Sequence, residues 1–211
     1  MKRYVLLMIL ILLFLSGCGS LGLNRGMSGA ELDQQSREQV EENIEGQTYT
    51  DIESLLEDNF TLVDVISEGT NESTRIYATK QFTMDELSSL VQQESDPEEV
   101  SDVQNQKQIF IYQDDILTLQ MDEKEDGLLL MELATTEFVR NHYSPNYFNG
   151  FFALWLLDDV LDVDDWAKKR TRRCAGGDCY GGYMNSKKYR SGDAGSFRGF
   201  FSRGGGPGVG K

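Results

Sequence analysis

Three apolar runs near the middle of the chain constrain the fold most strongly. Residues 108–112, 116–121 and 127–134 are rich in Ile, Leu, Met and Phe, as buried strands are. The segments between them, 113–115 and 122–126, are short and charged. A parallel neighbour needs a crossover of about a dozen residues or more, whereas antiparallel strands need only a turn. The three runs therefore predict an antiparallel meander.

A second pair of strands is predicted before the meander. Residues 60–67 and 74–82 are rich in branched and aromatic side chains. The six residues between them, 68–73, include Gly, Asn and Ser, which are typical of turns. These segments predict a hairpin, so the sheet should have about five strands.

Capping patterns mark the helices. Thr50 with Glu53 and Thr83 with Glu86 have the spacing of capping boxes, and Thr135 or Thr136 can start a third helix. The order of elements then predicts an α+β domain, with helices packed on one face of a small, mostly antiparallel sheet.

The N-terminus has the features of an export signal. Two basic residues precede an apolar run, 4–15, that is shorter than the roughly 20 residues of a membrane-spanning helix. Leu15, Ser16 and Gly17 then precede Cys18, as in the lipobox of bacterial lipoproteins. We expect residues 1–17 to be a signal peptide and Cys18 to carry diacylglycerol, which provides stable anchoring. The protein would then lie on the extracytoplasmic face of the cell membrane, lipid-anchored.

Charge divides the remaining chain. Residues 31–166 contain 33 acidic and six basic residues, whereas 167–211 contain eleven Lys and Arg and two Asp. We expect a lipid-bearing cysteine and tether over 18–46, an acidic domain over 47–166 and a basic tail over 167–211. Within the tether, the sparse apolar residues of 31–46 are compatible with an exposed helix or with more linker. The tail is rich in Gly and has almost no aliphatic residues, so we expect it to be disordered.

Two cysteines remain if Cys18 is acylated. Cys174 and Cys179 would form a disulfide in an oxidising compartment, and free thiols are the alternative in a reducing one. No metal site is expected, because a structural zinc site needs four ligands and His142 is the single histidine. The spacing of Asp158, Asp162 and Asp165 favours a solvated acidic helix face over a weak calcium site.

The apolar segment 151–166 allows two interpretations. Its all-round apolar start favours a buried helix that closes the core. The alternative is a helix at the membrane surface, in which Trp155 lies beside a basic cluster. The residues of that candidate membrane or polymer contact are Trp155, Lys168, Lys169, Arg170, Arg172 and Arg173.

No motif identifies a reaction. The G-x-S-x-G and H-E-x-x-H patterns are absent, so no catalytic residue or cofactor is predicted. The ending 205–211 matches G-x-x-x-x-G-K but lacks the following Ser or Thr, which argues against a nucleotide site. Basic and aromatic residues in the tail would suit RNA in the cytosol, but export argues against nucleic acid. Three anionic partners remain for the basic tail: a wall polymer, the membrane and the chain's own acidic domain.

A family resemblance joins these features. A lipobox, a small acidic α+β domain and the ending 203–211, RGGGPGVGK, resemble an uncharacterised family of bacterial lipoproteins described only as a domain of unknown function. The resemblance implies an envelope location and no activity. We expect a non-enzymatic module that binds an envelope protein or polymer. An accessory or regulatory subunit of a membrane complex is the alternative, and an envelope hydrolase with an unrecognised site is less favoured.

Overall fold

The computed structural model describes Leu32 and residues 35–185 except Lys124, and this part contains six helices and six strands. The helices are α1 (Arg37–Gly46), α2 (Ile52–Asn59), α3 (Met84–Ser95), α4 (Thr136–His142), α5 (Leu154–Val160) and α6 (Trp166–Arg173). The strands are β1 (Thr61–Ser67), β2 (Ser73–Thr79), β3 (Glu99–Val100), β4 (Lys107–Ile111), β5 (Asp115–Met121) and β6 (Leu129–Thr135). Short 3₁₀ helices span Pro145–Phe148 and Cys174–Gly176.

The six strands form one sheet in the order β1-β2-β6-β5-β4-β3, and every neighbouring pair is antiparallel. This confirms the predicted α+β class, the β1–β2 hairpin and the β4–β5–β6 meander. The strand that was not predicted is β3, which has only two residues and no apolar pattern of its own. It extends the sheet by pairing with the end of β4.

Helices cover both faces of the sheet, and not the single face that was predicted. Along β6, Leu130 and Ala134 contact the core beneath α4 to α6, whereas Leu129, Met131 and Leu133 contact the core beneath α1 to α3. A strand with an apolar run unbroken by polar alternation is buried on both sides. The central strands therefore need a helical layer on each face.

The helix starts follow side-chain capping. At α3, Thr83 Oγ1 accepts from the Glu86 amide at 3.4 Å and a Glu86 carboxylate oxygen accepts from the Thr83 amide at 2.9 Å, which confirms the predicted capping box. At α2 the predicted Thr50 cap is wrong. Asp51 Oδ1 instead accepts from the Ser54 amide at 2.7 Å, because an ionised carboxylate is the stronger acceptor. Thr135 caps α4.

The folded domain extends beyond 47–166 at both ends. Helix α1 lies in the segment predicted as tether, and its Val40 and Ile44 are buried. Residues 167–185 lie in the predicted tail, yet Tyr180 and Tyr183 are buried in the core. The assignment of 167–185 to a disordered tail is therefore wrong, because these aromatic side chains fill space on the α4–α6 face. The predictions for 1–17, Cys18 and 186–211 fall outside the described residues.

Candidate functional site

Exposed aromatic and basic side chains lie on α5 and α6. Trp155 is 67% exposed and its neighbour Leu154 is 39% exposed. The expectation that this helix is wholly buried is wrong: Leu157 is buried and Leu156 and Val160 pack partly buried against the core, but Leu154 and Trp155 face solvent. We call this region the α5–α6 surface, and it comprises Leu154, Trp155, Lys168, Lys169, Arg172 and Arg173.

The packing of α6 determines which of its residues face solvent. Trp166 and Arg170, one turn apart, are buried, and Trp166 Nε1 donates to the Arg140 carbonyl at 3.0 Å. The remaining basic residues of this helix therefore face outward and are exposed. Lys168 and Trp155 line the same shallow cleft of about 350 Å³. The structure thus brings together two of the residues that the sequence placed in a candidate contact surface.

Arg170 does not belong to that surface. Its Nε donates to the Tyr143 carbonyl at 3.1 Å, and a terminal nitrogen lies 3.2 Å from Cys179 Sγ. Only 7% of Arg170 is exposed, so it cannot contact a membrane or polymer in this structure. The sequence prediction for Arg170 is wrong because the helical period turns it toward the core.

Asp158, Asp162 and Asp165 are not arranged on one helix face. Helix α5 ends at Val160, and Asp162 and Asp165 both have positive φ angles in the connection. Asp158 Oδ1 accepts from the Trp166 amide at 2.9 Å, which fixes the start of α6. Within the described residues no group of His, Cys, Asp and Glu could hold a metal ion.

A disulfide joins Cys174 and Cys179 just after α6. Beyond it the chain turns back along the end of α4, where the Tyr180 amide donates to the His142 carbonyl and the Ser144 amide donates to the Tyr180 carbonyl, both at 2.8 Å. These contacts bring residues 180–185 onto the sheet. The bridge therefore lies at the start of a segment that completes the core.

Four tyrosines surround a buried glutamate on this face; we call Glu132 with Tyr143, Tyr147, Tyr180 and Tyr183 the tyrosine cluster. Glu132 lies in the middle of β6 and is 4% exposed. Its carboxylate accepts from Tyr143 Oη at 2.6 Å and from the Tyr183 amide at 3.0 Å, and it lies 3.4 Å from Tyr147 Oη. Burial, together with the adjacent carboxylate, raises the pKa of three of these tyrosines, Tyr143, Tyr147 and Tyr180, well above its ordinary value. Those phenols therefore stay protonated.

Beside the tyrosine cluster, Lys107 opens into a polar cleft of about 450 Å³, which we call the Lys107 cleft. Its Nζ lies 3.7 Å from the ring centroid of Tyr147 and 4.4 Å from that of Phe151. Burial lowers the pKa of Lys107 to about 8, although the Glu132 carboxylate acts in the opposite direction. The Lys107 ammonium group therefore loses its proton at a pH closer to neutrality than an ordinary lysine does.

Sequence reasoning missed both Glu132 and Lys107. The one available signal was the acidic residue in the otherwise apolar run 128–134, because a charge on a buried strand requires partners. Lys107 gave no such signal, since it stands at the polar start of a strand. The tyrosines that complete the site come from distant parts of the chain.

Comparison with known proteins gives a family and no activity. A family profile described as "Domain of unknown function (DUF4247)" matches residues 43–211. No curated protein and no solved structure matches the chain. None of the helices within the described residues is long and apolar enough to cross a membrane.

Proposed function

The chain belongs to the DUF4247 family, whose description states no activity, and we propose from its own residues that it is a lipid-anchored binding module of the cell envelope. The proposed anchor is diacylglycerol on Cys18. The 13 residues between Cys18 and the buried Leu32 allow a separation of at most about 50 Å. An anchored domain would therefore stay within reach of the membrane surface.

The observation that carries the proposal is the exposure of Trp155 beside the basic face of α6. A tryptophan that is 67% exposed is unusual for a large aromatic side chain, and such side chains are favoured at membrane interfaces. Lys168, Lys169, Arg172 and Arg173 are all exposed. Each contributes about 1 kcal/mol near an anionic surface. We infer that the α5–α6 surface lies against anionic headgroups or an anionic wall polymer.

Two of these basic residues, Arg172 and Arg173, also stabilise α6 itself, because they lie in its last turn. Cations in the last turn interact favourably with the helix dipole, and acidic residues precede the helix. If the α5–α6 surface had only a structural role, replacement of Trp155 would leave membrane binding unchanged. The two roles are therefore separated by a binding measurement and not by a stability measurement.

Vesicle binding tests the surface. The chain from residue 18, with Cys18→Ser to remove the lipid, should bind anionic vesicles better than neutral ones. Trp155→Asp should reduce that binding by about tenfold or more, whereas Val103→Asp, at another exposed apolar residue, should not. Trp166 is buried, so its fluorescence reports that the fold is retained. Equal binding by the Trp155 and Val103 variants would contradict the proposed surface.

Membrane fractionation tests the anchor. In the native cell, Cys18→Ser should move the protein from the membrane to the soluble fraction, because one lost lipidation site removes both acyl chains. Retention of unacylated protein at the membrane would show that another contact is the anchor.

An accessory role in a membrane complex is the second candidate, and the edge strand β1 favours it. Leu62 and Val65 on this strand are 41% and 45% exposed, and the outer edge of β1 pairs with no other described strand. Exposed apolar residues on a strand edge suit a protein partner. Val65→Arg should then abolish co-purification of a crosslinked membrane protein and leave vesicle binding unchanged.

A further inference from the structure

The Lys107 cleft is lined by a cation, aromatic rings and side-chain amides. Lys107, Tyr147 and Phe151 form one side. The amide side chains are Asn105, Gln120, Asn146, Asn149 and Asn185. Amides both donate and accept hydrogen bonds, so they match the hydroxyl groups of a polyol or sugar. A volume of about 450 Å³ is in the range of small-molecule sites.

The ammonium group at this site can bind an anion. Lys107 Nζ donates to the Tyr147 carbonyl at 3.0 Å. An ammonium has three N–H donors, and no other hydrogen bond joins this one to a described residue. The two aromatic faces provide part of its charge stabilisation without using those donors. One anionic group of a ligand is therefore the matching partner.

The Tyr147 ring, which lines the cleft, is held in place by residues that do not line it. Tyr147 Oη donates to Thr118 Oγ1 at 3.0 Å, in addition to its contact with Glu132. Gly182, with a φ of +86°, packs so closely on the same ring that a Cβ would lie 2.3 Å from Tyr147 Cε2. The ring that positions the ammonium is thus fixed from two sides, as a preorganised site requires.

We propose that the Lys107 cleft binds a small polyhydroxylated ligand with a single anionic group, a phosphate or a carboxylate. The anion contacts the Lys107 ammonium and the hydroxyl groups contact the side-chain amides. The cleft shares no residue with the α5–α6 surface, so this site does not depend on the proposed membrane contact.

The charges around the cleft limit the ligand to one anionic group. Glu123 is exposed at the rim and carries the opposite sign to Lys107. A ligand with several anionic groups would be repelled by Glu123 and by the buried Glu132. The lowered pKa of Lys107 further predicts that binding weakens as the pH rises above about 8.

Titration of the unlipidated chain from residue 18 tests the site, with glycerol 3-phosphate as the probe. Glycerol alone and inorganic phosphate alone should each bind more weakly. Lys107→Gln should weaken binding at least tenfold, whereas Lys168→Gln, an exposed lysine on the α5–α6 surface, should leave it unchanged. Glu123→Gln should tighten it. Equal affinity in wild type and Lys107→Gln, or no binding up to about 10 mM, would overturn the proposal.

A second measurement holds even where Lys107→Gln fails to fold. In the wild-type chain with isotope-labelled lysine, the ligand should raise the pKa of Lys107, because a bound anion favours the charged form. An unchanged Lys107 titration in saturating probe would also overturn the proposal. Competition by anionic vesicles for the probe would identify a lipid headgroup as the source of the anion, and its absence would identify a free small molecule.

Discussion

Replacement of Glu132 by alanine should destabilise the domain strongly. The change leaves the hydroxyl of Tyr143 and the backbone amide of Tyr183 buried without their acceptor, whereas the Tyr147 hydroxyl keeps Thr118. A hydrogen bond to a charged group contributes about 1.5–3 kcal/mol. Removal of a buried charge offsets part of the loss. We therefore expect the free energy of unfolding to fall by about 3 kcal/mol.

Glu132→Gln removes the charge of this side chain and keeps its size and shape, so it measures the contribution of the charge to stability. The amide oxygen can still accept from the Tyr183 amide, but the amide nitrogen then faces the Tyr143 hydroxyl. We expect a loss of about 1 kcal/mol, because both charge-assisted hydrogen bonds become weaker neutral ones and the Tyr143 hydroxyl changes from donor to acceptor.

Urea unfolding followed by circular dichroism measures both changes. For a domain of this size, a loss of about 3 kcal/mol lowers the melting temperature by roughly 6–12 °C. Glu99→Gln on the exposed edge strand β3 is the control and should stay within about 0.5 kcal/mol of wild type. A Glu132→Ala protein within about 1 kcal/mol of wild type would refute the reasoning, since it would mean that the buried donors find other acceptors.

Three further substitutions test single features. Tyr77→Phe should raise the free energy of unfolding by about 1 kcal/mol in urea titration, because the buried Tyr77 hydroxyl has no hydrogen-bond partner among the described residues; a loss would contradict this. Burial raises the pKa of Asp115 to about 6, above its unfolded value, so the free energy of unfolding falls as the pH rises from about 4 to 6. Asp115→Asn should therefore raise the melting temperature at pH 7. This gain should disappear near pH 4, where the carboxyl group is protonated in both states. Gly182→Ala should cost about 3 kcal/mol in the same unfolding assay, because the new Cβ meets Tyr147; an unchanged stability would show that residues 181–185 are loosely held.

Local patterns predicted much of the secondary structure. The capping box of Thr83 and Glu86 marked the start of α3, and the short charged turns predicted the antiparallel order of β4, β5 and β6. These signals involve residues close in the chain, where spacing alone determines which groups can meet. Spacing did not decide between two neighbouring cap candidates at α2. Thr50 was predicted as the cap, but Asp51, one residue later, is the stronger acceptor and caps the helix.

The candidate sites were less predictable. The sequence named Trp155 and Lys168, which line one cleft, but it also named Arg170, which is buried. Which side of a short basic helix faces solvent depends on what the other side packs against. The high glycine content of 167–211 and its lack of aliphatic residues indicated disorder, yet Tyr180 and Tyr183 lie in the core because the sheet face beneath α4 offers them space.

The sequence by itself determined the α+β class, the antiparallel pairing and the N-terminal pattern from which anchoring is proposed, because each depends on short-range spacing. Only the tertiary structure decided that helices cover both faces of the sheet and that the chain returns after α6. It also decided that Glu132 on β6 meets tyrosines from residues 143 to 183. A buried carboxylate must gather its donors from wherever the fold places them, and that selection is a property of packing and not of any local pattern.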